Sequence, residues 1–392
     1  MLRSIVTAVL LFGAAAASAQ GVSDRIARTG LAATADSLKQ PASADDRLAL
    51  GGVRFLRAIE KTLQTRWRHG MSRTGGFLPV LRLPVPDNPA PEPFRPELVA
   101  GIFATLVDDM TAARAPLDQI GDADDASLTL ALGDIWFDVN MNGKHDPQES
   151  LMPHFTATLG LFVAGDTAPT IRFDTADAAW LSAYTHLIAG LGELVLAFDP
   201  TDQIRRVMDT GRAMQGFGAD TPYASGYDMM LGAEIDMVAM AYFALRQQPD
   251  PVRTRAARDH ALAMIRDNRR FWERVEAETD NFAEWIPNAR QTSALGVTVP
   301  PDTGPRWLAV LSDAEDLLEG RKLIPYWRVR SGAGINLMRV LTEPGPVDLA
   351  EWVQGVGLLP YIEDGPRISP ENWWLFRDML RGDAALFAIW LN

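Results

Sequence analysis

The sequence predicts a mainly α protein, a multi-helix bundle or irregular solenoid-like layer with one inserted polar loop and few short strands. Three observations carry that reading. Apolar residues recur at helical spacing along most of the 392 residues. Loops rich in proline and glycine punctuate the periodic segments. No alternation of strand and helix patterns appears that would build a parallel sheet.

Taken in order, helical periodicity predicts helices over about Val22–Lys39, Asp45–Arg68, Pro96–Ala113, Ala123–Trp136, Thr175–Phe198, Tyr227–Gln247, Pro251–Glu284, Arg306–Glu319, Val347–Gly355 and Ser369–Trp390. Start signals support several of them. Asp45 and Asp46 precede RLALGGVRFLRAIEKTLQ, where carboxylates meet free amides, and Pro370 stands in the first turn of ENWWLFRDMLRGDAALFAIW. Short strands fit Ala157–Val163 and Leu323–Val329. The stretch LPVLRLPVPDNPAPEPFRP at 78–96 holds too many prolines for a helix and reads as a rigid connection. A second irregular stretch, 286–305, separates the helical middle from a Trp-rich end. The expected organisation is therefore a signal segment at 1–19, a helical domain over 20–290 and a Trp-rich helical part over 291–392, and no fixed-period repeat is visible.

The opening residues carry Arg3, an apolar run from Ile5 to Phe12, and Ala17, Ser18 and Ala19 before Gln20. That is the pattern of a secretory signal peptide cleaved after Ala19. The run is too short to span a bilayer, and the later apolar stretch LIAGLGELVLAF is interrupted by charge. We expect an exported protein with no membrane span, in a bacterial periplasm or released outside the cell. The chain has no cysteine, so disulfides and thiolate chemistry are excluded. A cysteine-free exported chain must bury its own core, and about 370 mature residues with 47% hydrophobic composition suffice. Acidic residues outnumber basic ones 50 to 37, for a formal charge of -13, which disfavours nucleic acid and anionic membrane surfaces and favours cations. The basic residues Arg66, Arg68, His69 and Arg73 read as a solvated helix end.

Residues 133–150, GDIWFDVNMNGKHDPQES, break the helical pattern with oxygen-bearing side chains at every second position. A hard cation such as calcium takes six to eight oxygens, and a twelve-residue loop supplies them by wrapping the ion. Counting from Asp138, the inward side chains are Asp138, Asn140 and Asn142, and Gly143 permits the sharp turn. Lys144 offers its backbone carbonyl, Asp146 falls where a ligand acts through water, and Glu149 falls twelfth, where a carboxylate closes the site with two oxygens. The segment resembles an EF-hand-type calcium loop, D-x-[DN]-x-[DN]-G-x5-E, at every constrained position. It is also similar to the calcium loops of bacterial surface-protein repeat domains, with one residue fewer between Asp134 and Trp136. The resemblance implies Ca2+ as the ion and leaves the local fold open. His145 stands where an aliphatic residue usually pairs with a partner loop, and no second loop follows. The expected site is therefore solitary, structural and weak, in the ~10⁻⁴ to 10⁻³ M range of extracellular modules.

Other constellations point less far. His186 and Glu193 share a face of one apolar helix, which reads as polar groups satisfied by a neighbouring helix. Glu234 and Asp236 lie about 200° apart around theirs. Most of the 11 tryptophans, Trp327, Trp373 and Trp374 among them, are expected to pack in the core. The acidic run GDADDAS at 121–127 reads as a helix start, and SGAGIN at 331–336 as a loop. The common signatures of zinc proteases, di-iron bundles and serine hydrolases are absent. The sequence thus favours an exported calcium-binding helical protein acting as a binding or interaction module for an unidentified protein or glycan ligand. The alternative is a hydrolase or lyase on glycans or cell-envelope polymers, with His186, Glu193 or Glu234 in a cleft lined by Trp327.

Overall fold

The computed structural model of the chain describes residues 21–72, 81, 83–152, 168–215, 226–296, 300, 302–372 and 374. The protein is mainly α, with two small two-stranded sheets among the described residues. Helix α1 covers 21–37, α2 Ala44–Arg68, α3 Glu97–Leu117, α4 Thr175–Ala197, α5 Thr201–Gln215, α6 Gly226–Leu245, α7 Pro251–Ala277, α8 Thr303–Leu318, α9 Leu337–Thr342 and α10 Leu349–Gln354. Strands β1 (Ser127–Ala131) and β2 (Thr170–Asp174) pair antiparallel with Ser127 opposite Asp174. Strands β3 (Ala333–Ile335) and β4 (Ile362–Asp364) pair antiparallel with Ala333 opposite Asp364.

Packing follows a chain of neighbours: α2 lies on α3, α3 on α4, α4 on α7, and α7 on α8. Helix α4 is apolar nearly all round because it is covered from two sides. Gly192 makes room for one of those neighbours, since a Cβ there would sit 2.8 Å from Val107 Cγ2 of α3. By length and composition α4 is apolar enough to cross a membrane; in the fold its Tyr184, Ile188 and Ala189 are buried with Phe103, Leu106 and Met110 of α3. A second cluster joins Ile135 and Ile171 to Phe271, Trp272 and Trp285, and Trp307 and Leu308 of α8 pack against it, so core contacts cross residue 291.

Several elements differ from the sequence expectation. The segment expected as helix over Ala123–Trp136 is β1 followed by a 3₁₀ turn at Leu132–Asp134. Leu128, Leu130 and Leu132 are all buried, so a period of two outcompetes the helical one. The GDADDAS run accordingly starts no helix: Asp122 pairs with Arg270 and Arg274 of α7. Helix α7 stops at Ala277, short of Glu284, because the Asn288 side chain donates to the free carbonyls of Val275 and Glu278 at 2.6 and 3.3 Å. Helix α5 was not legible, its Ile204 and Val207 being the buried residues of an otherwise polar stretch. Leu323 and Ile324 form single bridges before the chain turns, in place of a strand to Val329. The strand expected at Ala157–Val163, the signal segment and most of Ser369–Trp390 lie outside the described residues.

The basic end of α2 is solvated only in part: Arg68 is exposed, Arg73 lies outside the described residues, and the other two residues are buried. Arg66 is 1% exposed and donates to the Leu83 carbonyl, burial lowers its pKa to about 10, and His69 is buried as well.

Candidate metal centre

Strand β1 and its 3₁₀ turn deliver the chain to Ile135, Trp136 and Phe137, which are buried and fix the base of the 138–149 loop. The base is closed like a hairpin: Phe137 N donates to Glu149 O, and Leu151 N to Ile135 O, both at 2.9 Å. Trp136 stacks on His145 with ring centroids 5.1 Å apart, and its indole N–H donates to Ile26 O of α1 at 2.8 Å. His145, at the eighth loop position, is therefore used within its own turn, where it also bonds Ser150 Oγ at 2.7 Å.

Inside the loop Asp138, Asn140, Asn142 and Glu149 fold back on the backbone. Asp138 Oδ2 accepts Gly143 N at 3.1 Å, Asn140 Oδ1 accepts Asn142 N at 3.0 Å, and Asn142 Oδ1 accepts Lys144 N at 2.7 Å. These bonds curl the chain through Gly143, whose φ of 71° is the left-handed conformation glycine adopts without steric cost. Asp146 Oδ2 accepts the side-chain amides of Asn140 and Asn142 at 2.9 and 3.2 Å. Glu149, 2% exposed, occupies the centre. Its Oε1 accepts Val139 N and Asn140 N at 2.8 and 3.3 Å, and its Oε2 accepts Asp146 N at 3.1 Å. Burial, opposed by those amides, holds the Glu149 carboxyl above its ordinary value.

One oxygen in this arrangement has no partner. Asp138 Oδ1 is buried and accepts no hydrogen bond. A carboxylate oxygen removed from water without a donor is costly, and a cation satisfies it. Asp146 links the Asn140 and Asn142 side chains, Glu149 links the backbone of residues 139, 140 and 146, and the Lys144 carbonyl accepts no amide among the described residues. Asp138, Asp146 and Glu149 do not form a triad with oxygens within 4.8 Å of one another. The Asn140 and Asn142 amide nitrogens lie on Asp146 and their oxygens accept the Asn142 and Lys144 amides, so both side chains would have to give up their bonds to Asp146 to present a calcium ion with acceptors only.

The rest of the body holds the loop from α2. Glu60 Oε1 accepts Asp138 N at 2.7 Å and Gln64 Nε2 donates to Asp138 O at 2.8 Å, so successive turns of the helix hold both sides of that residue's backbone. Neither residue was legible as part of the site, because helical periodicity marks Glu60 as one polar position among many.

A second group was not foreseen either. Asp174, Glu278 and Glu284 place oxygens within 4.8 Å of one another. Burial and the neighbouring Asp174 charge push Glu278 up to about 7, and burial also raises Asp174 and Glu284. The expected helix to Glu284 hid the turn that brings this group together.

The residues of the enzyme alternative do not converge. His186 bonds His260 of α7 at 2.8 Å between Nδ1 atoms, and Glu193 takes Arg253 of α7 at 2.9 and 3.1 Å, as polar groups satisfied by a neighbouring helix. Glu234 and Asp236 are both exposed on α6. Trp327 is 72% exposed beneath the Arg328 guanidinium, which corrects its expected place in the core; Trp374 is exposed too, and Trp373 lies outside the described residues. A cleft of about 430 Å³ between α2 and α3 is lined by Lys61, Thr65, Arg95 and Thr105, and by none of His186, Glu193, Glu234 or Trp327.

No protein-family model matches the chain, and neither a curated protein nor a solved structure matches it.

Proposed function

We propose that residues 138–149 bind one calcium ion as a structural clip in an exported helical protein that serves as a binding or interaction module for a protein or glycan in the periplasm. The observation that carries the metal reading is the buried, unpartnered Asp138 Oδ1, in the side chain whose other oxygen caps Gly143 N. The ligands are Asp138, Asn140, Asn142, the Lys144 carbonyl, Asp146 through water, and Glu149. Two oxygens from Glu149 require the long 3.3 Å bond from Asn140 N to give way, since Oε1 already accepts two amides. An oxygen-only set with no thiolate favours a hard ion over softer metals.

The clip reading is supported by what the loop is tied to. Glu60, Gln64 and Ile26 anchor it to α2 and α1, so an ion that orders the loop also stiffens the junction of those helices with β1. For millimolar calcium and a Kd near 10⁻⁴ M the stabilisation is about 1.4 kcal/mol. In a chain this long that raises the melting temperature by roughly one to two degrees. Melting the protein in chelator and in 1 mM calcium, beside Asp138→Ala, tests it: the calcium-dependent rise is expected to be larger in the parent than in the variant by roughly that one to two degrees. The same calcium response in both would remove the loop from the account.

A further inference from the structure

Helix α6 is apolar nearly all round, yet most of it lies bare. A soluble protein buries a helix of that composition, so this surface calls for a cover. One side has one: Ala244 is buried, Ala233 and Met240 are half-buried, and α5 is the packing partner of α6 among the described elements. The opposite side carries Leu231, Ile235 and Val238, which are spaced i, i+4, i+7 on one stripe and are 43%, 58% and 64% exposed. Glu234, bordering that stripe, is exposed and pairs with no cation among the described residues.

The sequence holds a segment of matching chemistry. Residues 375–392, LFRDMLRGDAALFAIWLN, lie outside the described residues, and twelve of the eighteen are apolar. Phe376, Leu380, Phe387 and Leu391 recur at helical spacing, and Arg377 and Arg381, one turn apart, flank that stripe. An apolar stripe with a basic edge thus stands in the same chain as a bare apolar stripe with an acidic edge. Each supplies what the other lacks.

The place where the segment begins agrees. Asn372 donates to Asp313 of α8 at 2.8 Å, and Leu318 at the end of α8 accepts Arg258, two turns into the helix that follows α6. The end of α6 is held by the same part of the chain, with Val347 N donating to Leu245 O at 2.7 Å and Arg246 paired with Asp348 at 3.0 Å. Eighteen residues reach about 60 Å when extended, roughly twice the length of α6, so the segment spans the gap with residues to spare.

We propose that residues 375–392 dock on the Leu231, Ile235 and Val238 stripe of α6, with their arginines beside Glu234. Within one chain the two apolar stripes cover each other at any protein concentration, whereas a second copy seated on α6 leaves the stripe of the segment in need of its own partner. The proposal is independent of the calcium loop.

Hydrogen–deuterium exchange of the full chain, read on peptides from 375–392, tests it. The segment is expected to be protected in the wild type, equally at roughly 1 and 50 µM protein, because the contact is intramolecular. Ile235→Asp, at an exposed position, should speed its exchange at least about tenfold while peptides from α4 and α7 keep theirs, and Ile235→Leu should leave it protected. Glu234→Arg disturbs no buried group and is expected to speed it by roughly two- to fivefold, reversed when Arg377→Glu and Arg381→Glu are added. A segment unprotected in the wild type, or protected equally in Ile235→Asp and Glu234→Arg, overturns the proposal. So does a dimer in sedimentation that Ile235→Asp dissociates while exchange of 375–392 stays unchanged, which would give the face to a second copy.

Discussion

Glu60 and Asp138 are joined by a 2.7 Å hydrogen bond from the Asp138 backbone N–H to the Glu60 carboxylate, across 78 residues of sequence. Glu60 is 1% exposed and also pairs with Arg57, so its removal takes the acceptor from two partly buried groups at once. Glu60→Ala is expected to lower stability by about 1–3 kcal/mol, and Glu60→Gln by less, because its side-chain carbonyl still accepts the amide. Urea unfolding of the two variants checks the order. Equal losses would mean that the contact to Asp138 is not what Glu60 contributes.

Gly143 and Gly192 should respond to alanine for different reasons. At Gly143 a Cβ meets nothing within 4 Å, so the cost is that of holding φ at 71°, about 1–2 kcal/mol. At Gly192 the new methyl would stand 2.8 Å from Val107 Cγ2, and overpacking costs about 1–3 kcal/mol. Gly143→Asn, which visits the left-handed region, is therefore expected to cost less than Gly143→Ala, whereas Val107→Ala should relieve Gly192→Ala. Melting temperatures of the four chains decide it.

Glu193 is buried against Arg253, whose side chain is 42% exposed, so solvent screens part of the attraction. Glu193→Gln is expected to cost roughly 1 kcal/mol, with overall helicity unchanged by circular dichroism. A substrate whose turnover vanished in that variant at unchanged melting temperature would instead make Glu193 catalytic.

His186 lies between α3 and α7, facing Arg114 from the first and His260, Arg266 and Asp267 from the second. Burial first, then the Arg114 charge, lowers its pKa to about 3 from 6.5. The unfolded chain thus binds this proton more readily, so stability present above pH 6.5 is lost as pH falls towards 3, at up to about 1.4 kcal/mol per pH unit. His186→Gln should flatten that slope relative to the wild type between pH 6.5 and 4 in urea midpoints. An identical slope in both chains would show that His186 does not carry it.

The legible parts were those written locally. Helix α2 begins where the sequence places it, with Ser43 Oγ accepting Asp46 N ahead of the apolar stripe. The turn at Gly143 was readable because Asp138 Oδ2, Asn140 Oδ1 and Asn142 Oδ1 each accept a backbone amide within five residues. What stayed hidden depends on distant partners. Arg66 reads as a surface charge until the Leu83 carbonyl is placed over it, and β1 reads as helix until β2 pairs with it. Asp174, Glu278 and Glu284 have no common spacing, since β2, α7 and the turn after it meet through folding alone.

The most direct measurement is calorimetric titration of calcium into the metal-free protein beside its Glu149→Ala variant, repeated with magnesium. Glu149 accepts amides from both ends of the loop, so its loss removes the organising centre as well as a ligand. The wild type is expected to bind one more calcium ion per chain than Glu149→Ala, with a Kd for that ion of about 10⁻⁴ to 10⁻³ M and no saturation of it by magnesium in preference to calcium. Equal heats and equal stoichiometry in the two chains, or a loop that takes magnesium first, would contradict it.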